Sequence, residues 1–315
     1  WINSIMNLKP VENVNLHGMK FFFNDIITLF NKKKMPTKIL LSGKKGLGKS
    51  TLAYHIINYI LSKSEDLKYD LDNLIINKEN KSFKLMKSNS HPNFYLIDLL
   101  NDKKNIDITQ IREMITYTNK STFNNMARFI LIDNIEKLNK NSVNALLKIT
   151  EEPNENIFFI LINNNEKYIL PTLQSRCLTF KINFTFNQSM EVTNKILNEN
   201  IFSLINLDLI SYYNTPGDYI KLINFSKDKN IDLRDFTLFN FLKLLIDNGH
   251  YKKNKSVKNI LVNFIELFFL KEYKFNEKRG ALLSFYHVFI KKINNTEKFN
   301  LDEESLFLEF KSKLL

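Results

Sequence analysis

The chain has only seven glycines in 315 residues, and three of them, Gly43, Gly46 and Gly48, fall within six positions. They follow Lys38-Ile39-Leu40-Leu41-Ser42, an apolar run suited to a strand buried on both faces. They precede Lys49 to Leu61, where apolar residues recur at helical spacing. The junction reads Gly43-Lys44-Lys45-Gly46-Leu47-Gly48-Lys49-Ser50 and matches G-x-x-x-x-G-K-[ST]. A loop that wraps an anion with its own N–H groups needs glycine wherever φ is positive or backbone approaches closely. The helix N-terminus behind it then faces the anion. In such a loop Lys49 reaches the β- and γ-phosphates and Ser50 offers its hydroxyl to Mg2+. Gly43, Gly46, Gly48, Lys49, Ser50 and Thr51 are therefore the candidate nucleotide-binding residues. In so glycine-poor a chain the two required glycines pair by chance about 0.15 times, and the Lys and Ser requirements bring that below ~0.01.

Up to about residue 182 short apolar runs alternate with longer amphipathic stretches, the pattern of a parallel sheet flanked by helices. Lys38 to Ser42, Phe94 to Asp98, Arg128 to Asp133 and Ile157 to Ile162 read as strands, with Leu178 to Ile182 a weaker fifth. Lys49 to Leu61, Asp107 to Asn119 and Asn139 to Thr150 read as helices, the last capped by Asn139. Lys63 to Ser90 is polar and Lys-rich and reads as a surface excursion. Beyond Asn183 strand signals fade, and helical spacing recurs near 186–198, 201–213, 216–225, 233–247, 254–271, 276–293 and 301–314. The expected division is a nucleotide-binding α/β domain at 1–182, a small helical lid at 183–228 and an all-α domain at 229–315. Stripes such as Phe236, Phe239, Phe241 and Leu242, then Ile265, Leu267, Phe268 and Phe269, would form the last domain's own core.

Composition excludes several classes. At 44% hydrophobic and 25% charged residues the chain is globular rather than disordered. One cysteine, Cys177, precludes an internal disulfide or a cysteine-rich zinc module and suits a reducing, cytoplasmic setting. The apolar stretch Ile260 to Leu270 is broken by Asn263 and Glu266, far short of the ~20 residues a membrane span needs. The opening Trp-Ile-Asn-Ser-Ile-Met-Asn shows no charged head before an apolar core, so no signal peptide is read from it. The net charge of +12 fits either a Lys- and Asn-rich bias over solvated faces or a phosphate-bearing partner.

A nucleotide site also needs a carboxylate from a neighbouring strand to hold the metal, and Arg128 to Asp133 ends in one. Asp133 is the metal candidate beside Ser50. Position 134, where a Glu activates water in hydrolysing proteins of this broad class, is Asn134, and a neutral amide accepts no proton. Glu136 is the only nearby substitute and reads more simply as an exposed charge. The run after Ile162 places Asn163 at the carboxyl edge of the sheet, within reach of a γ-phosphate, with Asn164 the alternative if the register slips. Arg176 stands just before the fifth strand. His17, His55 and His91 lack ligand spacing, and Cys177 has no His near it in sequence to activate it.

Taken together, Leu40 to Leu52, His91-Pro92, Arg128 to Asp133, Asn144-Ala145-Leu146-Leu147-Lys148-Ile149-Thr150-Glu151-Glu152-Pro153 and Leu170 to Cys177 closely resemble the clamp-loader ATPase family of AAA+ proteins. The match spans residues 15 to 220. The resemblance implies a P-loop AAA+ domain, a helical lid and a collar through which subunits assemble into a hetero-pentameric ring. It implies ATP and Mg2+ as ligands, gamma/tau and delta subunits of the replicative DNA polymerase as partners, and a sliding clamp as the object acted on. Lysines along the ring would contact primer-template DNA. Asn15-Leu16-His17-Gly18 resembles the segment near the adenine base, and the Arg of Ser175-Arg176-Cys177 the finger delivered in trans to a neighbour's ATP, worth ~10³ to 10⁵ in rate.

The family's motor subunit carries a four-cysteine zinc module after its loop and a Pro-Gly-Arg sensor. This chain has one cysteine, Asn134 in place of the Glu, and Pro216-Gly217-Asp218, whose carboxylate repels triphosphate oxygens. The expectation is thus a stator that binds ATP without efficient hydrolysis and without zinc. The alternatives are a divergent gamma/tau-like motor ATPase and, from another class, a small-molecule kinase, against which the helical half and Ser175-Arg176-Cys177 argue.

Overall fold

The computed structural model describes residues 9–100, 103–120, 126–151, 156–252, 254–275, 279–299 and 302–314. Glu152 and Pro153, which close the Asn144 to Pro153 motif, lie outside the described residues. Among the described residues five strands are present: β1 (Lys38–Ser42), β2 (Phe94–Ile97), β3 (Arg128–Ile132), β4 (Ile157–Asn163) and β5 (Leu178–Lys181). Twelve α-helices accompany them among the described residues: α1 (Lys20–Asn31), α2 (Lys49–Leu61), α3 (Lys81–Lys87), α4 (Ile108–Thr118), α5 (Lys140–Glu151), α6 (Pro171–Gln174), α7 (Phe186–Leu197), α8 (Pro216–Lys229), α9 (Leu238–Asp247), α10 (Lys255–Phe275), α11 (Arg279–Phe299) and α12 (Glu304–Leu314).

The chain divides into two compact units. One runs through Ile196 and includes Thr215–Gly217; the other comprises Leu197–Asn214 and the residues from Asp218 onward. In the first unit the strands form one parallel sheet in the order β2-β3-β4-β1-β5. Successive strand residues point to opposite faces, and both faces are covered, so the strands read as unbroken apolar runs. Ile39, Leu41, Phe129, Leu131, Ile160 and Ile162 pack with Phe23, Ile26, Leu52 and Ile56 of α1 and α2. Leu40, Ile130, Ile132 and Leu161 pack on the other face with Ile111 and Met114 of α4 and Leu146 of α5. Asn139 caps α5 by accepting from the Ser142 N–H at 2.8 Å.

Residues 63–90 are more than a surface excursion. Tyr69, Leu74, Ile76, Phe83 and Met86 are buried in the core. The backbone of Leu74 and Ile76 bonds Leu16 and Val14, and Asn80 caps α3 by accepting from Phe83. Helix α1 is a further element that the sequence pattern did not isolate, because Phe21, Phe22 and Phe23 give it apolar residues on adjacent faces.

In the second unit, 201–213 is not one helix but two 3-10 turns, Ile201–Ser203 and Leu207–Leu209. Asn200 and Asn206 each cap one of them, offering side-chain oxygens that compete with helical pairing. Helices α9 to α12 enclose an aromatic core in which Phe241, Phe264, Phe268, Phe269, Phe289, Phe307 and Phe310 are buried. Of the expected stripes Phe241, Leu242, Ile265, Leu267, Phe268 and Phe269 are inside, while Phe239 stays exposed beneath the Lys243 ammonium, 4.3 Å from its ring centre. No helix among the described residues is long and apolar enough to cross a membrane.

Candidate nucleotide site

Parallel strands bring their carboxyl ends to one edge of the sheet, where α/β proteins bind ligands. Here that edge collects the loop after β1, Asp98 after β2, Asp133 and Asn134 after β3, and Asn163 and Asn164 at the end of β4. The three loop glycines serve two needs. Gly46 and Gly48 take positive φ, +87° and +90°, and Gly48 hands the chain into α2. Gly43 is required by proximity, since a Cβ there would lie 2.1 Å from the Ile182 carbonyl oxygen.

Sequence reasoning missed what covers the loop. The Thr215 hydroxyl donates to the Lys45 carbonyl at 3.0 Å, and the Gly217 N–H donates to the Gly46 carbonyl at 3.0 Å. Cβ atoms at Gly46 and Gly217 would collide, 2.3 Å from Thr215 Oγ1 and 2.6 Å from Gly46 Cα respectively. The glycine of Pro216-Gly217 was the available signal. The next residue, Asp218, lies in the first turn of α8, 3.9 Å from Lys221.

Lys49 is 3% exposed and donates to the carbonyls of Gly43 at 2.7 Å and Lys44 at 2.6 Å. Burial pulls its pKa down to about 8, an effect that Asp133 and Glu136 offset only in part. The Ser50 hydroxyl donates to Asp133 Oδ2 at 2.5 Å, so the two groups expected to hold Mg2+ stand together across the loop and β3. Burial and the neighbouring Asp98 raise the Asp133 pKa, against the opposing pull of Ser50, the Asn134 N–H and Lys49. Thr51 accepts a 3.4 Å hydrogen bond from Asn13. A hydroxyl, a carboxylate and a buried ammonium beside free-turning glycines form a donor set that fits a magnesium-bound nucleotide.

Asn134 takes a left-handed conformation, φ +56°, and its amide bonds a neighbour on each side. Nδ2 donates to Asp98 Oδ1 at 2.7 Å, and Oδ1 accepts from Asn164 Nδ2 at 2.9 Å. Asp98 is a site residue that the sequence reading did not name. Glu136 corrects an expectation: it is buried rather than exposed, at 7%. Its Oε2 accepts from the Asn164 N–H at 3.2 Å, while Oε1 has no hydrogen-bond partner.

Asn163 and Asn164 face different neighbours. Asn163 Nδ2 donates to Asn165 Oδ1 at 2.8 Å and to Ser42 Oγ at 3.3 Å, on the β1 side; Asn164 joins Asn134 and Glu136 on the β3 side. Glu166 bridges Lys137 at 2.6 Å and the loop's Lys45 at 3.4 Å. Burial works against its charge, yet the Lys137 hydrogen bond and Lys45 outweigh it and hold the carboxyl below its usual range.

Arg176 follows α6, is exposed, and donates to the Thr172 carbonyl at 2.8 Å. Burial pushes the Cys177 thiol up to about 11, which suits a packing residue rather than a nucleophile. His55 is buried between Tyr69 and the Asn13 carbonyl. His91 accepts from the Asn93 N–H and lies 3.3 Å from the Ser82 hydroxyl. Burial and Lys195 depress the pKa of His17.

A family model described as DNA polymerase III, delta subunit, matches residues 19–185. The delta' subunit of DNA polymerase III from Buchnera aphidicola subsp. Schizaphis graminum is 28% identical over 289 residues, 87% of this chain and 83% of that protein. The gamma subunit from the same organism is 33% identical over 176 residues, 56% of this chain and 46% of that protein. Among solved structures, a gamma subunit-related protein of Thermotoga maritima overlaps 82% of this chain and 76% of its own at 18% identity and a TM-score of 0.36. With more than half of its length matched by the family model, the chain belongs to the DNA polymerase III delta-subunit family, among relatives that include delta' and gamma subunits.

Proposed function

We propose that this chain is the stator of a clamp loader, a subunit that holds ATP and Mg2+ in its own loop, turns ATP over poorly, and lends Arg176 to the ATP of a neighbouring subunit. In this reading it works in a cytoplasmic hetero-pentameric ring with gamma/tau and delta subunits, opening a sliding clamp on primed DNA. Residues 1–182 bind nucleotide, 183–228 act as lid and 229–315 as collar. Gly43, Gly46, Gly48, Lys49, Ser50 and Thr51 cradle the phosphates. Ser50 and Asp133 hold the metal, which neutralises phosphate charge, and Asn163 approaches the γ-phosphate.

The observation that carries the reading is Asn134. The position that would supply a base is an amide whose oxygen and nitrogen both bond neighbours, while Ser50 and Asp133, the pair read as metal-holding, stand in hydrogen-bond contact. An exposed Arg176 after α6 supports service to another subunit, because a guanidinium at developing phosphate charge accelerates transfer without needing its own site. Asp218 in place of a cation supports weak sensing by the lid.

The test is ATP turnover by a loader reconstituted with gamma/tau, delta, clamp and primed DNA. Arg176→Ala is expected to lower turnover by ~10³-fold at the affected site while Lys49→Ala changes it little. The reverse pattern would mean that the chain chiefly consumes its own ATP.

A further inference from the structure

The first four carbonyls of the phosphate loop all accept hydrogen bonds. The Lys49 ammonium donates to those of Gly43 at 2.7 Å and Lys44 at 2.6 Å. The next two, of Lys45 and Gly46, are held by a segment far along the chain: the Thr215 hydroxyl donates to the first and the Gly217 N–H to the second, each at 3.0 Å. A loop that cradles an anion must turn its carbonyl oxygens away and present its N–H groups.

The bonds from 215 and 217 fix more than two carbonyls. A trans peptide is planar, with its C=O and the following N–H on opposite sides. The Thr215 bond to the Lys45 carbonyl therefore points the Gly46 N–H away from residues 215–217. The Gly217 bond to the Gly46 carbonyl does the same for the Leu47 N–H. Two successive N–H groups turned to one side make a concavity that suits an oxyanion, and Gly46, at φ +87°, supplies the left-handed residue such a concavity uses.

The segment is built for this approach. Thr215 is buried, so water competes little for its hydroxyl. Gly217 lies in the first turn of α8, where N–H groups lack helical acceptors and need partners elsewhere. A Cβ there would stand 2.6 Å from Gly46 Cα, so the approach requires glycine. A threonine at the start of a helix ordinarily accepts from an N–H of the first turn. This one donates to the phosphate loop.

We infer that Thr215 is a positioning residue for the phosphates: by holding the Lys45 carbonyl outward it aims the Gly46 N–H at the diphosphate of the nucleotide, with Gly217 aiming the Leu47 N–H beside it. Thr215 touches no phosphate and acts through the loop backbone. The inference rests on the nucleotide-binding reading above and deepens it, because a hydroxyl outside the loop motif then sets how tightly the loop holds its ligand.

The experiment uses the purified full chain with Mg2+ and ADP, and two variants: Thr215→Val, which keeps the shape and loses the hydroxyl, and Thr215→Ser, which keeps the hydroxyl. Thr215→Val is expected to bind ADP at least ~5-fold more weakly, and Thr215→Ser within ~2-fold of wild type. Labelling with 15N-glycine lights only seven residues, Gly46 among them. The assigned Gly46 amide signal should move on saturation with ADP in wild type and Thr215→Ser, and move less in Thr215→Val. A merely structural role predicts otherwise: a lower melting temperature for Thr215→Val, with a smaller loss of affinity than this or an unaltered Gly46 response, overturns the inference. So does a Thr215→Ser chain as weak as Thr215→Val. Independently of any variant, a wild-type Gly46 signal unmoved by saturating ADP overturns this inference alone. Failure of the wild-type chain to bind ADP overturns the nucleotide-binding reading with it.

Discussion

His55 provides a quantitative test of how the phosphate-site helix is held. It sits on α2, whose first turn carries Lys49, Ser50 and Thr51. Its Nε2 faces the Asn13 carbonyl at 3.0 Å, so that nitrogen carries the proton and donates; Nδ1, 2.8 Å from the Tyr69 hydroxyl, accepts. The ring is therefore a neutral bridge from α2 to two other segments. Burial, the dominant cause, drives its pKa from 6.5 to about 4, and the Asn13 contact opposes this only partly. The folded form binds the proton more weakly than the unfolded chain, so the stability associated with neutral His55 is complete above the unfolded value. It drains away as pH falls from 6.5 towards 4. Between pH 7.5 and pH 5.5 the unfolded histidine becomes protonated while the folded one does not, a loss of about 1.3 kcal/mol from this residue. The assay is hydrogen exchange of β3 and β4 amides in the full chain at the two pH values, corrected for intrinsic exchange rates. The chain carries four other histidines, so the comparison is with His55→Gln. The variant should be less stable at pH 7.5, yet its loss on acidification should be smaller than the wild type's by about that 1.3 kcal/mol. Equal losses in both proteins would refute the assignment of His55 as a buried neutral bridge.

Three further outcomes follow from single contacts. Gly46→Ala places a side chain at φ +87° and against Thr215, and the first unit should lose about 2–4 kcal/mol, read as a melting temperature lower by roughly 5–15 °C. Ser50→Ala strips Asp133 Oδ2 of its donor, so a magnesium titration of nucleotide affinity should show a weaker dependence on the metal than in wild type. In the second unit Asp208 caps Leu238 at 2.6 Å and pairs with Lys271, and Asp208→Ala should cost about 1–2 kcal/mol by chemical unfolding. Although burial works against its charge, the Lys271 and Leu238 hydrogen bonds prevail and hold the Asp208 pKa below its ordinary 3.8. That contribution is present above this value and fades only as the pH falls below it, so the variant and wild type should converge in strong acid.

The strands and the loop were legible because their determinants are local. A strand covered on both faces is an apolar run whatever covers it, and a loop that wraps phosphate needs glycine in a fixed pattern. What escaped depends on a neighbour. Asn200 and Asn206 turn a helical pattern into two short turns through side-chain bonds that periodicity does not register. Pro216-Gly217 reads as the start of a helix, and its role against Gly46 exists only once Gly217 has come within a hydrogen bond of the loop.

Glu136 is the most instructive case. Extending the alternation of β3 through Asp133 would place residue 136 opposite residue 133, away from the metal candidate. The chain does not continue as a strand there: Asn134 turns left-handed, and Ile135–Lys137 form a 3-10 turn. Those two changes of direction bury Glu136 against the Asn164 N–H. The same turn lets the Asn134 side chain bridge Asp98 and Asn164. One left-handed asparagine therefore both bridges Asp98 and Asn164 with its own side chain and turns the chain so that Glu136 is buried. Asparagine tolerates that conformation better than glutamate, so restoring Glu at 134 would strain the turn as well as repel Asp98.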